Sequence, residues 1–95
     1  MRIYCDIDGT ICQTNGNDYQ NAVPIQANID KMNKLYNEGN VIIYWTARGS
    51  SSGQDLLFFT LKQLVGWGCK CNSVQVGKPS YDLFIDDKSK RIEEL

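Results

Sequence analysis

A small α/β domain, built on a mostly parallel sheet of four strands with helices on its faces, is what this sequence predicts. Three observations lead there. Apolar runs alternate with stretches of helical period along the 95 residues, the order that right-handed crossovers turn into a parallel sheet. The run Val41 to Trp45 is apolar without a break, as in a strand covered on both faces. Every unusual polar group follows an apolar run, where a strand has to end, and open α/β sheets bind ligands outside those carboxyl ends.

The elements follow in order. Residues 2–6 read as a buried strand, and Gly9 marks the turn after it. From Ile11 to Val23 the chain is polar, with Asn15-Gly16 as a tight-turn signal; this predicts a hairpin or flap standing over the end of the first strand. Pro24 can open a helix, and Ile25, Ile29, Met32, Leu35 and Tyr36 supply its apolar stripe, with Gly39 as its C-terminal cap. After the strand 41–45, Ser51 and Gln54 fit a capping box for a second helix, whose stripe is Leu57, Leu61, Leu64 and Val65 and whose stop is Gly66 and Gly68. Asn72 to Val76 reads as a third strand, and Tyr81 to Ile85 as a fourth, ending in Asp86-Asp87. The tail from Lys88 is at most a helical turn or two. Trp45, Trp67, Phe58 and Phe59 are expected in the core, and any left exposed would point to an oligomer interface.

Composition narrows the function classes. Apolar residues make up 42% and charged residues 22%, which is ordinary for one soluble globular domain. The net charge of −1 carries no basic field for nucleic acid or an anionic membrane. No apolar run approaches a membrane span, and no secretion signal is visible, so the expected compartment is the cytoplasm. Cys5, Cys12, Cys69 and Cys71 form no C-x-x-C pair and there is no histidine; buried, reduced thiols are expected rather than a zinc site or a disulfide framework.

Asp6 and Asp8 stand after the first strand, Thr46 and Arg48 after the second, Lys78 after the third, Asp86 and Asp87 after the fourth. Paired carboxylates repel unless a cation neutralises them or a reaction uses them. The set suits Mg²⁺, which takes carboxylates, waters and phosphate oxygens. Asp6, Asp86 and Asp87 can be its protein ligands, while Lys78 and the Thr46 hydroxyl stabilise the outer oxygens of a phosphoryl group. One aspartate can then attack phosphorus and its neighbour move protons. Arg48 either recognises the rest of the substrate or lies on the surface; Asp18 and Tyr19 are weaker candidates for the same task. A calcium loop fails, because Ile11 and Asn17 stand where Gly and Glu are required. A phosphate loop around Gly77-Lys78 fails at Asn72 and Pro79.

The ordered set Asp6-Ile7-Asp8-Gly9-Thr10, Thr46, Lys78 and Asp86-Asp87 resembles the haloacid dehalogenase-like phosphohydrolases. The resemblance spans nearly the whole chain and implies a small three-layer Rossmann-like fold. It also implies Asp6 as nucleophile and Asp8 as acid and base, with Thr46 and Lys78 in the catalytic set and Thr10 at the substrate. Mg²⁺ would be bound by Asp6, the Asp8 carbonyl and Asp86 or Asp87. Thr46-Ala47-Arg48, Val76 to Pro79 and Phe84 to Lys88 are similar to the small phosphatases of capsular polysaccharide gene clusters. Only the flap and one helix fit between the first two motifs, so no cap domain is expected. An open site of this kind takes a bulky substrate, is covered by another copy of the chain, or tolerates water around a small phosphorylated one such as a sugar or polyol phosphate. Two other classes compete: a non-catalytic phosphoacceptor like a bacterial receiver domain, and a phosphatase of nucleic-acid 3′ ends. Receivers place the acceptor at a middle strand, and here that strand ends in Thr46 with no Asp between Asp30 and Asp55.

Overall fold

The computed structural model describes all 95 residues. Its sheet has three parallel strands, β1 (Arg2–Cys5), β4 (Val41–Trp45) and β5 (Ser73–Gln75), in the order β1-β4-β5. Arg2 pairs with Val41 and Cys5 with Tyr44; Ile43 pairs with Ser73 and Trp45 with Gln75. The β4 run is buried at Ile42, Ile43 and Tyr44, as its unbroken apolar character requires. Helices α1 (Gln26–Asn37) and α2 (Leu57–Gly66) cross between the strands. Ile29 and Met32 of α1 and Leu64 of α2 join Cys5, Ile7, Ile11, Cys12, Ile42 and Tyr44 in the core.

The flap is as expected. Strands β2 (Cys12–Gln13) and β3 (Val23–Pro24) pair antiparallel, and a short 3-10 turn, Tyr19–Asn21, lies between them. Pro24 closes this hairpin instead of opening α1, which begins two residues later. Gly39 ends α1 at φ +97°, a left-handed position that suits glycine.

Three expectations are corrected. Helix α2 starts at Leu57, not near Ser51. Residues 49–54 instead fold back on themselves, with Gly53 N–H donating to the Gly49 carbonyl at 2.8 Å. Gly49 sits at φ +84°, where a Cβ would meet the Gln54 carbonyl, and Asp55 Oδ1 accepts from Leu57 N–H at the true helix start, 3.1 Å away. The α2 stripe is shifted too: Thr60 and Leu64 are buried, whereas Val65 and Phe58 face solvent. Residues 81–85 form no strand, so the sheet has three strands rather than four, and Leu83, Phe84 and Ile85 are exposed, Ile85 at 87%. No cap domain stands over the strand ends, and no helix is long and apolar enough to cross a membrane.

Candidate active site

The strand ends define the site. Beyond β1 the chain makes a tight turn, with Thr10 and Ile11 N–H both donating to the Ile7 carbonyl and Gly9 at φ +85°. Ile7 is fully buried, so the residue between the two aspartates anchors them. Beyond β4 and β5 the ladder continues for a few bonds. Thr46 N–H donates to the Gln75 carbonyl at 2.9 Å, and Lys78 N–H donates to the Thr46 carbonyl at 3.2 Å. Ser50 Oγ donates to the Lys78 carbonyl at 2.8 Å. These backbone bonds hold Lys78 beside Thr46 across 32 residues of sequence.

Asp6, Asp8, Thr46, Arg48 and Lys78 consequently line one open cavity of about 250 Å³. Lys78 Nζ lies 3.5 Å from Asp6 Oδ1. Its side chain is enclosed by the Trp45 and Tyr81 rings, at 5.6 and 5.2 Å from their centroids, an aromatic flank that favours the cation. The Asp6 carboxylate remains 38% exposed. Thr46 is buried, and its Oγ1 accepts from Arg48 N–H at 3.1 Å, which leaves its own O–H free to donate.

Arg48 does not lie on the surface, one of the two alternatives its sequence context allowed. It is buried, and its guanidinium clamps Asp8 through Nε to Oδ2 and Nη2 to Oδ1, both at 2.9 Å. Nη1 donates to Gln63 Oε1 at 2.7 Å and to Thr60 Oγ1 at 3.4 Å. The Tyr19 ring stacks on it at 4.7 Å, and Gln63 Nε2 ties the flap down by donating to the Tyr19 carbonyl at 2.7 Å. Thr14 Oγ1 adds a 2.6 Å hydrogen bond to Asp8 Oδ1. Burial alone would raise the Asp8 pKa. The hydrogen bonds from Arg48 and Thr14 and the Arg48 charge outweigh it and hold the carboxyl below its ordinary range. Arg48 thus positions Asp8, and Nε, Nη1 and Nη2 all make hydrogen bonds within the chain.

The remaining expected residues are not brought here. Thr10 lies outside the cavity; its carbonyl accepts from Asn28 Nδ2 at 2.8 Å and fastens the turn to α1. Asp86 and Asp87 are exposed in the C-terminal segment, where Asp86 Oδ1 accepts from Lys88 N–H at 3.3 Å, and they do not join Asp6 and Asp8 in a cluster of three ligands. Thr14, Thr60 and Gln63 escaped sequence reading. The one signal for the last two is a pair of polar residues three apart beside the apolar positions of α2.

All four cysteines are free thiols. Burial, with the neighbouring Asp6 charge, pushes Cys5 up to about 12, and burial pushes Cys69 up to about 11. They stay protonated at neutral pH, so Cys5, although next to Asp6, offers no thiolate nucleophile.

No family model and no curated protein matches this chain. Among solved structures it is similar to the crystal structure of an MCSG target from Vibrio cholerae, with 26% identity and a TM-score of 0.89 over 98% of this chain and 85% of that one. A small α/β fold with a parallel sheet is therefore a known architecture for such a sequence.

Proposed function

We propose that the chain is a phosphomonoester hydrolase of the haloacid dehalogenase-like superfamily, working through an aspartyl phosphate on Asp6. One observation carries the reading. Of two carboxylates at one strand end, Asp6 is left open beside the Lys78 amine in a cavity that Thr46 also lines, while Asp8 is locked by an arginine. The open carboxylate suits attack, and the locked one suits proton transfer at a fixed point.

Lys78 and the Thr46 hydroxyl draw the phosphate oxygens toward Asp6. An Asp6 oxygen then bonds to phosphorus as the bond from phosphorus to the alcohol oxygen breaks. In the resting site Asp8 is ionised. A phosphate dianion arriving beside it opposes that charge and favours uptake of a proton, which passes to the departing alcohol. Asp8, again a carboxylate, takes a proton from the water that attacks the aspartyl phosphate, and phosphate leaves with Asp6 restored. Arg48 keeps Asp8 aimed throughout.

The donor set also fits Mg²⁺. That ion commonly binds through one or two carboxylates and completes its shell with water and phosphate oxygens, and a half-exposed Asp6 carboxylate suits such a site. Asp6 and the Asp8 carbonyl would hold it. It supplies charge neutralisation, so that one anion can approach another. The fourth strand belongs to the same reading: β1 is an edge strand, and the apolar run 83–85 that can cover its open side is exposed. Docked there, the run would bring Asp86 and Asp87 to the strand-end site, where they could add carboxylate ligands.

Phosphate release from a panel of sugar, polyol, nucleotide and aryl phosphates, with and without Mg²⁺, tests the reading. Metal-dependent turnover is expected, and Asp6→Asn should lower it on the order of a thousandfold or more with the circular-dichroism spectrum unchanged. Turnover surviving in that variant would exclude the mechanism. A single stoichiometric phosphorylation without turnover would favour a phosphoacceptor.

A further inference from the structure

The strand-end cavity is open, and Gly16 and Tyr19 of the flap belong to its lining. A larger bay of about 380 Å³ lies beside it, and Tyr19, Ala47 and Ser80 line both. The bay lies between flap residues 17–20 and the folded-back loop that begins at Gly49. Its chemistry differs from that of the strand ends. It has no lysine or arginine, and its one charged side chain is Asp18. That carboxylate is directed by Asn21 Nδ2, which donates to both of its oxygens at 3.1 and 3.0 Å. Gln20, Ser51 and Gln54 line the bay with neutral donors and acceptors and use no side-chain hydrogen bond within the chain. Phe59 and Tyr19 add two aromatic faces.

We infer that this bay receives the alcohol part of the substrate and selects an uncharged, polyhydroxylated group, with Asp18 excluding a second phosphate. This rests on the hydrolase reading and narrows its substrate class. A phosphate held by Lys78 leaves its ester oxygen on the Tyr19–Ala47–Ser80 wall, and whatever that oxygen carries continues into the bay. Hydroxyl groups find amide and hydroxyl partners there, and an apolar ring face finds an aromatic one. A second phosphate finds no lysine or arginine in the lining, since Arg48 behind the Tyr19 and Phe59 rings is already paired with Asp8, and it meets a carboxylate. Two negative charges facing one at contact range across water weaken binding by about tenfold.

Binding separates this inference from the activity beneath it. Titration calorimetry of Asp6→Asn protein in Mg²⁺ with a hexose 6-phosphate should give an affinity about tenfold above that for the hexose 1,6-bisphosphate. Asp18→Asn should narrow the gap, and Asp18→Lys should close or invert it. Equal affinities, or a preference untouched by Asp18→Lys, would overturn the assignment of the bay. Phosphate release from an aryl phosphate by the unaltered protein is read alongside. Release with equal affinities keeps the hydrolase and removes the bay. A preference without release keeps the bay as a recognition site and removes the hydrolase. Binding of neither ester removes the bay, and if aryl phosphate is not released either, the hydrolase falls with it.

Discussion

Two acidic pairs follow apolar runs in this chain, and the molecule treats them differently. Asp6 and Asp8 follow a strand that is laddered to β4 along its length. Their intervening Ile7 is buried, and each carboxylate faces a buried cation, Lys78 or Arg48. Asp86 and Asp87 follow a run with no ladder partner, and Asp86 has only local bonds, from Lys88 N–H and from Ser89 Oγ to its carbonyl. The first pair is held in place because a backbone ladder fixes its strand and a buried cation faces each side chain. An apolar run before an acidic pair does not suffice.

The comparison breaks most severely at Arg48. Arg48→Ala leaves Asp8 half-buried without its two guanidinium bonds, and removing one partner of a buried pair is costly because the other charge remains. The Asp8 side chain keeps 26% exposure, which places the loss at the low end of that range, about 3 kcal/mol in a urea titration. Arg48→Lys keeps the charge but loses the fork, so it should recover only part. A loss of a few tenths would show that the clamp does not hold the site. Lys78→Ala comes next. Removing one preorganised donor to a developing charge costs about a hundredfold in turnover, read as phosphate release. An unaltered rate would remove Lys78 from the chemistry.

Acid titration sharpens the contrast further. The Asp8 carboxyl is lowered from its ordinary 3.8 in the folded state. The unfolded chain therefore binds the proton more readily, and stability rises with pH through that window. The contribution is full above the unfolded value and is lost as pH falls through the folded one. Asp8→Asn should flatten the part of the stability curve below about pH 4 that Asp8 supplies. Identical acid limbs in variant and parent would mean that Arg48 does not stabilise the ionised form.

Much of the frame was legible because it is written in short-range patterns. The unbroken run 41–45 became a buried strand, Asn15-Gly16 turned the flap, and the residue types at the strand ends marked Asp6, Asp8, Thr46 and Lys78. The start of α2 was misread because Ser51 and Gln54 satisfy a capping pattern, while Gly53 at φ +73° turns the chain away and Asp55 Oδ1 accepts from Leu57 N–H at the helix start. The role of Arg48 was hidden for another reason. Its partners are Asp8, 40 residues earlier, and Thr60 and Gln63, 12 and 15 residues later, and no local period encodes contacts of that span. The run 81–85 has the apolar content of a strand, but strands are stabilised by neighbours, and this one has none in the structure.

That run gives the prediction with the smallest expected effect and the clearest separation of states. Ile85 is exposed, so Ile85→Ser in metal-free protein should change stability by less than about 0.5 kcal/mol, the range of ordinary surface substitutions. If the run docks on the open edge of β1 when Mg²⁺ binds, the same substitution removes a side chain that has become buried. It should then weaken activation by Mg²⁺, and backbone amides of 83–85 in the unaltered protein should exchange more slowly with the metal present. A large loss in metal-free protein would mean that the run is already packed. Full Mg²⁺ activation in the variant, with unchanged exchange at 83–85, would mean that it never docks and that Asp6 and the Asp8 carbonyl meet the metal without Asp86 and Asp87.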